Sequence, residues 1–354
     1  LRTSIIYDDI YLAHDTGPSH PESRSRLEAI LKGLERSKLL QSGECTLVTP
    51  RKASREELRL VHDPSYINLV EDFCSRGGGL LGSWGAGVVC SPRSFEAALY
   101  AVGGALKGCE LILNGKFVNS FALVRPPGHH AGRDYPYGFC LFNNIAIAAA
   151  YLIEKQGYER VMILDLDAHH GNGVQEIFDD TSKVFYVSFH QDQIFPGTGH
   201  VNEIGVGDGV GYKVNFPLPP HTSDEVYMKM IREVVSPITK QYRPQFILVS
   251  AGFDAHQDDP LTGLGLSAQG YVNLFEKALE FAGKNCAGKL LATLEGGYEY
   301  IALAKTVPAV IGAMAGIPLD VREKTVLMPQ TLKAHTEEII ATVKRTLLPY
   351  WNLS

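Results

Sequence analysis

The chain has 354 residues, 45% of them hydrophobic and 20% charged, with a formal net charge of −6. That is an ordinary globular composition, and its scattered Lys and Arg leave no basic stripe for a nucleic-acid backbone. The six cysteines, at 45, 74, 90, 109, 140 and 286, form no CxxC pair, which argues against a disulfide framework or a cysteine-rich metal site. Scattered cysteines suit a reducing compartment. The longest apolar runs, 145–153 and 307–319, are too short to span a bilayer. Asp8 and Asp9 interrupt the apolar start, so no signal peptide is expected and the cytoplasm is the expected location, or the nucleus in a eukaryote. No linker, charge block or repeat divides the chain, and one domain over 1–354 is expected.

In chain order, the pattern predicts a helix over 94–107, with Ser91 as N-cap ahead of Pro92. A strand over 120–124 and a helix over 144–156 follow, then strands over 161–166 and 184–189. A helix over 223–241 starts at Thr222, with Glu225 completing a capping box. A strand over 245–249, a helix over 267–283 and a strand over 289–294 complete the series. Apolar strands spaced by helices imply an α/β fold, a mostly parallel sheet with helices on both faces.

Ligands of such sheets bind at the carboxyl ends of the strands. The unusual polar residues of this chain gather at those ends. His129-His130 follows the first predicted strand, Asp165-Leu-Asp167-Ala-His169-His170 the second, Asp254 the fourth and Tyr298 the fifth.

Asp165, Asp167 and His169 alternate, so an extended segment projects them to one side about 6.5–7 Å apart. Carboxylate and neutral imidazole are normal zinc ligands, and a catalytic zinc needs three of them plus an open position. Asp254 is the natural third beside Asp167 and His169. A lone Asp at a strand end reads more simply as a helix cap or a loop ion pair. His129-His130, after Pro-Pro-Gly, reads alone as two hydrogen-bonded loop histidines. Beside a metal the pair suits general base and acid, since imidazole titrates near neutrality. Tyr298 follows two glycines and either packs at a helix start or swings over a site to donate to an oxyanion. Gly138, Phe139 and Phe195 could line a narrow channel or simply pack in loops.

Taken together, Arg125-Pro-Pro-Gly-His129-His130, the run from Asp165 to Gly173, Phe195-Pro-Gly-Thr-Gly199, Ser250-Ala-Gly-Phe-Asp254 and Leu294-Glu-Gly-Gly-Tyr298 resemble the histone deacetylase family. That family includes acetoin-utilisation proteins and acetylpolyamine amidohydrolases and has an arginase-like α/β fold. Asn172, Glu295 and His20-Pro-Glu22 resemble class II members.

The resemblance implies a zinc-dependent amide hydrolase acting on acyl-lysine, with Asp167, His169 and Asp254 as zinc ligands. It casts His130, oriented by Asn172, as general base. His129, backed by Asp165, becomes its electrostatic or acid partner, and Tyr298 polarises the carbonyl. Gly138, Phe139, Phe195 and Leu261 would line the substrate channel, with Arg26 deeper inside. It also implies structural potassium, one ion at Asp165, Asp167, His169, Ser188 and Phe189. A second would lie at the backbone of Phe178, Thr181, Val184 and Tyr212.

Two departures stand out. The loop 82–91 lacks the acidic residue with which class I members hold a peptide backbone. Leu261 occupies the place of a glutamate in polyamine-selective members, which argues against a polyamine substrate. The alternatives are an amidohydrolase of acetylpolyamines or other small amines, and a silent acyl-lysine-binding module. A silent module would be expected to have lost Tyr298 or a ligand; both are kept.

Overall fold

Near-continuous apolar runs such as Val161–Asp165 and Phe246–Ala251 can be satisfied only where a strand is covered on both faces, as in a parallel sheet. The computed structural model, which describes residues 2–83 and 85–353, builds that sheet. Its strands are β1 (Thr3–Ile6), β2 (Cys45–Val48), β5 (Asn119–Ala122), β6 (Val161–Asp165), β7 (Val184–Gln191), β8 (Lys213–Leu218), β9 (Phe246–Ala251) and β10 (Leu290–Leu294). A separate antiparallel hairpin pairs β3 (Gly79–Leu81) with β4 (Val88–Cys90). The main sheet runs β2-β1-β5-β10-β9-β6-β7-β8, and every pairing in it is parallel.

Helices Ser94–Leu113 and Asn144–Glu154 pack on one face of this sheet. Helices Ser25–Ser37, Ala268–Cys286 and Tyr300–Ala315 pack on the other, and Gln330–Leu347 covers the edge strand β8. One core runs from Ile5 to Leu353. No helix among the described residues is long and apolar enough to cross a membrane.

The five predicted strands are all present and lie side by side, in the order β5-β10-β9-β6-β7. Three differences have local causes. The helix expected over 94–107 continues to Leu113 because Gly108 lies flat against Ser120 and Leu291, where a Cβ would come within 2.5 Å of Leu291. The expected Ser91 cap does not form. The helix begins at Ser94, and the Ser91 hydroxyl donates instead to the Ala13 carbonyl at 3.2 Å. The Thr222–Glu225 capping box is also absent. Thr222 is buried and its hydroxyl donates to the Pro219 carbonyl at 2.6 Å, leaving Ser223 at the N-cap. The stretch 223–241 is helical but interrupted, with a π-turn at Ile231–Val235 between Asp224–Met230 and Ser236–Tyr242.

The C-terminal segment locks the β8 edge. Trp351 packs 5.3 Å from the Tyr212 ring and 5.8 Å from Phe185, and its indole N–H donates to the Gly211 carbonyl at 2.6 Å. Trp351→Ala is therefore expected to lose about 3–5 kcal/mol of stability, the usual cost of emptying a large aromatic site. Urea midpoints measure it. A loss below about 1 kcal/mol would place the segment outside the cooperative core.

Candidate active site

The central strands deliver their terminal side chains to one point. Asp165 ends β6, with Asp167 and His169 just beyond it; Asp254 follows β9 and Tyr298 follows β10. Ligand atoms of Asp167, His169 and Asp254 all lie within 4.8 Å of one another. His169 Nδ1 is 2.9 Å from Asp254 Oδ2 and 3.2 Å from Asp167 Oδ1. Backbone groups aim the carboxylates: the Ala168 N–H donates to Asp254 Oδ1 at 2.8 Å and the Gly296 N–H to Asp167 Oδ2 at 2.8 Å. Position 296 must be glycine for this approach, since a Cβ would stand 2.4 Å from Asp254 Oδ2 and 2.7 Å from Asp167 Oδ2.

Both carboxylates are fully buried. Burial pushes the Asp254 pKa up, and the Asp167 charge adds to it. Burial opposes ionisation of Asp167 too, but His129 and His169 outweigh it and hold its pKa below the usual carboxylate range. Burial would lower the pKa of His169; its two carboxylate partners raise it to about 10. Two buried carboxylates sharing one imidazole make an excess of negative charge. That donor set fits a divalent cation.

The histidine pair is held from behind. Gly128 and His129 donate their N–H groups to Glu295 Oε2 at 2.7 and 3.2 Å. His129 Nδ1 lies 3.1 Å from Asp165 Oδ2, which also accepts the Tyr186 hydroxyl at 2.9 Å. His130 Nδ1 lies 2.8 Å from the neutral amide oxygen of Asn172. These partners divide the protonation states. Burial would lower the His129 pKa, yet Asp167 and Asp165 raise it to about 10. Burial lowers the His130 pKa well below the ordinary value, and the neighbouring His129 and His169 lower it further. The charged form is thus favoured at His129 and the neutral form at His130, with ring centroids 4.0 Å apart.

Above them opens a cavity of about 200 Å³, lined by His129, His130, Gly138, Phe139, His169, Phe195, Leu261 and Tyr298, with Gly85–Gly87 and Pro127 at its wall. Gly138 and Phe139 both have positive φ, 51° and 70°, which turns the Phe139 ring onto Tyr298. A Cβ at Gly138 would come within 2.4 Å of His130. Tyr298 is anchored by its N–H, which Asp259 Oδ2 accepts at 2.7 Å; the other oxygen of Asp259 accepts the Leu261 N–H at 2.9 Å. Burial and the Asp254 charge keep the Tyr298 hydroxyl protonated, with Arg26 opposing. Leu261 stands half-exposed at the mouth. Trp84, in the loop 82–91, lies outside the described residues.

Arg26 sits behind Tyr298, its guanidinium 5.1 Å from the ring centre. It is fully buried, donating to the Gly297 carbonyl at 2.6 Å and to Glu22 at 3.1 Å. Glu22 also accepts from Arg125; burial would raise its pKa, but the two guanidiniums bring it to about 2.

The sequence reading missed the supports Glu295, Asp259 and Tyr186. The signal for Tyr186 is weak but present: it alternates with Ser188 along β7, so both face the β6 end. Ser188 lies opposite Asp165 in the β6–β7 register, with Phe189 beside it, so the first set of potassium residues is brought together. At the opposite end of β7 the Phe178 carbonyl accepts the Thr181 N–H at 3.3 Å and the Tyr212 carbonyl the Tyr186 N–H at 3.0 Å, while the Lys213 ammonium takes the Thr181 and Val184 carbonyls. His190 is buried between the Ser188 hydroxyl and the Gly199 carbonyl, and His256 meets Glu323; both are structural.

Comparison with known proteins gives this arrangement a family. Residues 20–314 match the histone deacetylase domain. A protein of Archaeoglobus fulgidus named as a probable deacetylase is 41% identical over 358 residues, spanning 99% of this chain and 98% of that one. Histone deacetylase 10, chloroplastic, of Oryza sativa subsp. japonica is 36% identical over 329 residues, spanning 88% of this chain and 74% of its own length. The crystal structure of the HDA15 HD domain superposes with a TM-score of 0.89 at 33% identity, covering 99% of this chain and 95% of that one. The chain belongs to the histone deacetylase family.

Proposed function

We propose that the protein is a zinc-dependent deacylase of class II character that removes acetyl or other acyl groups from lysine side chains. The observation that carries this reading is the grouping of Asp167, His169 and Asp254 at the floor of a narrow cavity whose walls hold His130, His129 and Tyr298. A cavity of about 200 Å³ is smaller than the roughly 300–1,000 Å³ of drug-sized sites, which suits one aliphatic stem carrying an acyl head.

Zinc, when bound, would supply Lewis-acid polarisation of the acyl carbonyl and make a water more acidic. The remaining work belongs to the chain. Asn172 holds His130 Nδ1, leaving the other ring nitrogen of a neutral imidazole to take the proton of the attacking water. Tyr298 donates its hydroxyl to the carbonyl oxygen as negative charge builds there. His129, cationic against Asp165, stabilises that charge, and a histidine of the pair returns a proton to the departing amine. The acyl carbon–nitrogen bond breaks, leaving a carboxylate and an amine. Phe139 and Phe195 flank the stem, and Leu261 leaves the mouth uncharged. The same proposal includes one structural potassium at Asp165, Asp167, His169, Ser188 and Phe189, beneath the zinc ligands. The cytoplasm is the proposed location.

Purified protein should carry about one zinc per chain, and Asp254→Ala should lose it, because two remaining ligands hold the ion weakly. Elemental analysis decides this. Full zinc content in the variant would reject the ligand set.

Tyr298→Phe should keep zinc and fold but lose about 10²–10³ in kcat, the usual worth of one oxyanion donor. His130→Ala should lose at least as much. Steady-state kinetics on an acetyl-lysine peptide read both, and a Tyr298→Phe rate within about threefold of the parent would return the residue to packing.

Acyl-lysine peptides should be cleaved better than acetylspermidine or acetylputrescine. Leu261→Glu should improve kcat/KM for the polyamines by about ten- to a hundred-fold, the range for one partly desolvated ammonium–carboxylate contact. A parent enzyme preferring an acetylpolyamine over every acyl-lysine peptide tried would replace lysine by a small amine as the substrate.

A further inference from the structure

Lysine is rarely buried without a paired charge. Lys213, on edge strand β8, is completely buried, and among the described residues it is the one lysine that is. Its Nζ donates to the Thr181 carbonyl at 3.1 Å and to the Val184 carbonyl at 3.2 Å. These partners are dipoles; Asp179 and Asp180 contribute only through their charge. Burial pulls the Lys213 pKa down to about 8, with the two aspartates opposing, so the side chain is still mainly an ammonium at neutral pH.

A cluster of backbone carbonyls is the surrounding a monovalent cation wants. The resemblance implied a second potassium at the carbonyl groups of Phe178, Thr181, Val184 and Tyr212. Two of those four carbonyls bond to Lys213, which follows Tyr212 directly in the chain. An ammonium and a potassium ion carry the same unit charge and compete for the same oxygens. Both cannot occupy one small cage, because they repel each other at contact distance in a medium with little water to screen them. The residues present therefore do not fit a second bound potassium.

We infer that the Lys213 ammonium is a built-in replacement for that cation, so the carbonyl cage of Thr181 and Val184 binds no exchangeable ion in this protein. The tether makes the clamp independent of the salt around it, since a covalently attached cation has a fixed and high local concentration. The clamp also has a structural consequence. Lys213 lies opposite Tyr186 in the β7–β8 register, and the Tyr186 hydroxyl supports Asp165 behind His129. The cation at the start of β7 thus braces the strand that reaches the active site. None of this depends on the deacylase reading.

Rubidium is the probe, because it substitutes for potassium and can be located by anomalous scattering. Crystals of the parent soaked in rubidium chloride should show no rubidium at the Thr181 and Val184 carbonyls, whereas Lys213→Ala crystals should show one. Rubidium there in the parent, with the lysine displaced, would overturn the inference; so would its absence from both proteins. In solution, Lys213→Ala in choline chloride should melt about 5 °C below the parent, a shift typical of disturbing one buried charged group, and potassium chloride should recover at least half of it. A variant as stable as the parent in choline chloride, or unresponsive to potassium, counts against the inference. If Lys213→Ala does not fold, Lys213→Met takes its place in both measurements, with the same outcomes deciding.

Discussion

Three fully buried carboxylates, Asp165, Asp167 and Asp254, stand at the ends of two adjacent strands, and Asp167 and Asp254 meet within 4.8 Å around His169. Withdrawing a carboxylate from water costs several kcal/mol unless it is compensated, and mutual repulsion adds to that cost. Much of the surrounding structure supplies the compensation. The N–H groups of Ala168, Gly296, His169 and Asp167 point at the three carboxylates, as do the Tyr186 hydroxyl and the imidazoles of His129 and His169. The charge left over is what a divalent cation would meet. Glycine at 252 and 296 is part of the same solution, because any side chain there would collide with the Asp167 carboxylate.

This electrostatic arrangement also separates the roles of two adjacent histidines. His129 faces the anionic floor through Asp165 and Asp167; His130 faces an amide. Their pKa values are pushed in opposite directions because their partners differ. Behind them, Glu295 fixes the backbone of the histidine loop, while Asp259 ties Tyr298 to the Leu261 loop. The buried Glu22 joins Arg26 to Arg125, and Arg26 in turn holds the carbonyls of Glu295 and Gly297, just beyond the end of the last strand. Loops from β5, β9 and β10 are thereby fastened to one another below the cavity, where a side chain must not drift if it is to meet a transition state.

Donor groups suited to cations lie at both ends of β7 and its neighbours. At the carboxyl end of the sheet, the donors are carboxylates and imidazole, suited to a small divalent ion. At the opposite end of β7 they are carbonyl dipoles, suited to a single charge, and there the chain presents its own lysine. The difference follows from ligand chemistry: formal negative charge strengthens the hold on a dication, whereas a few neutral oxygens are enough for a single charge.

Read locally, the sequence specifies the α/β class, the five central strands and the polar residues at their ends. Period, length and strand-end position are local properties, so the polar residues that meet there, Asp167, His169, Asp254, His129, His130 and Tyr298, stood out by spacing and motif, and the resemblance suggested their roles. It did not determine β1, β2 or β8, whose short segments such as Lys213–Leu218 mix polar and apolar residues and become strands only because a neighbour offers hydrogen bonds. Nor could it show that Thr222 and Ser91 spend their hydroxyls on distant or buried carbonyls rather than on helix caps. The second layer was equally hidden. Glu295, Asp259, Tyr186 and Lys213 act through partners between 21 and 167 residues away, except for the short Asp259–Leu261 link. A buried charge reveals its function only when the group that compensates it is known, and that group is chosen by the packing of the whole sheet.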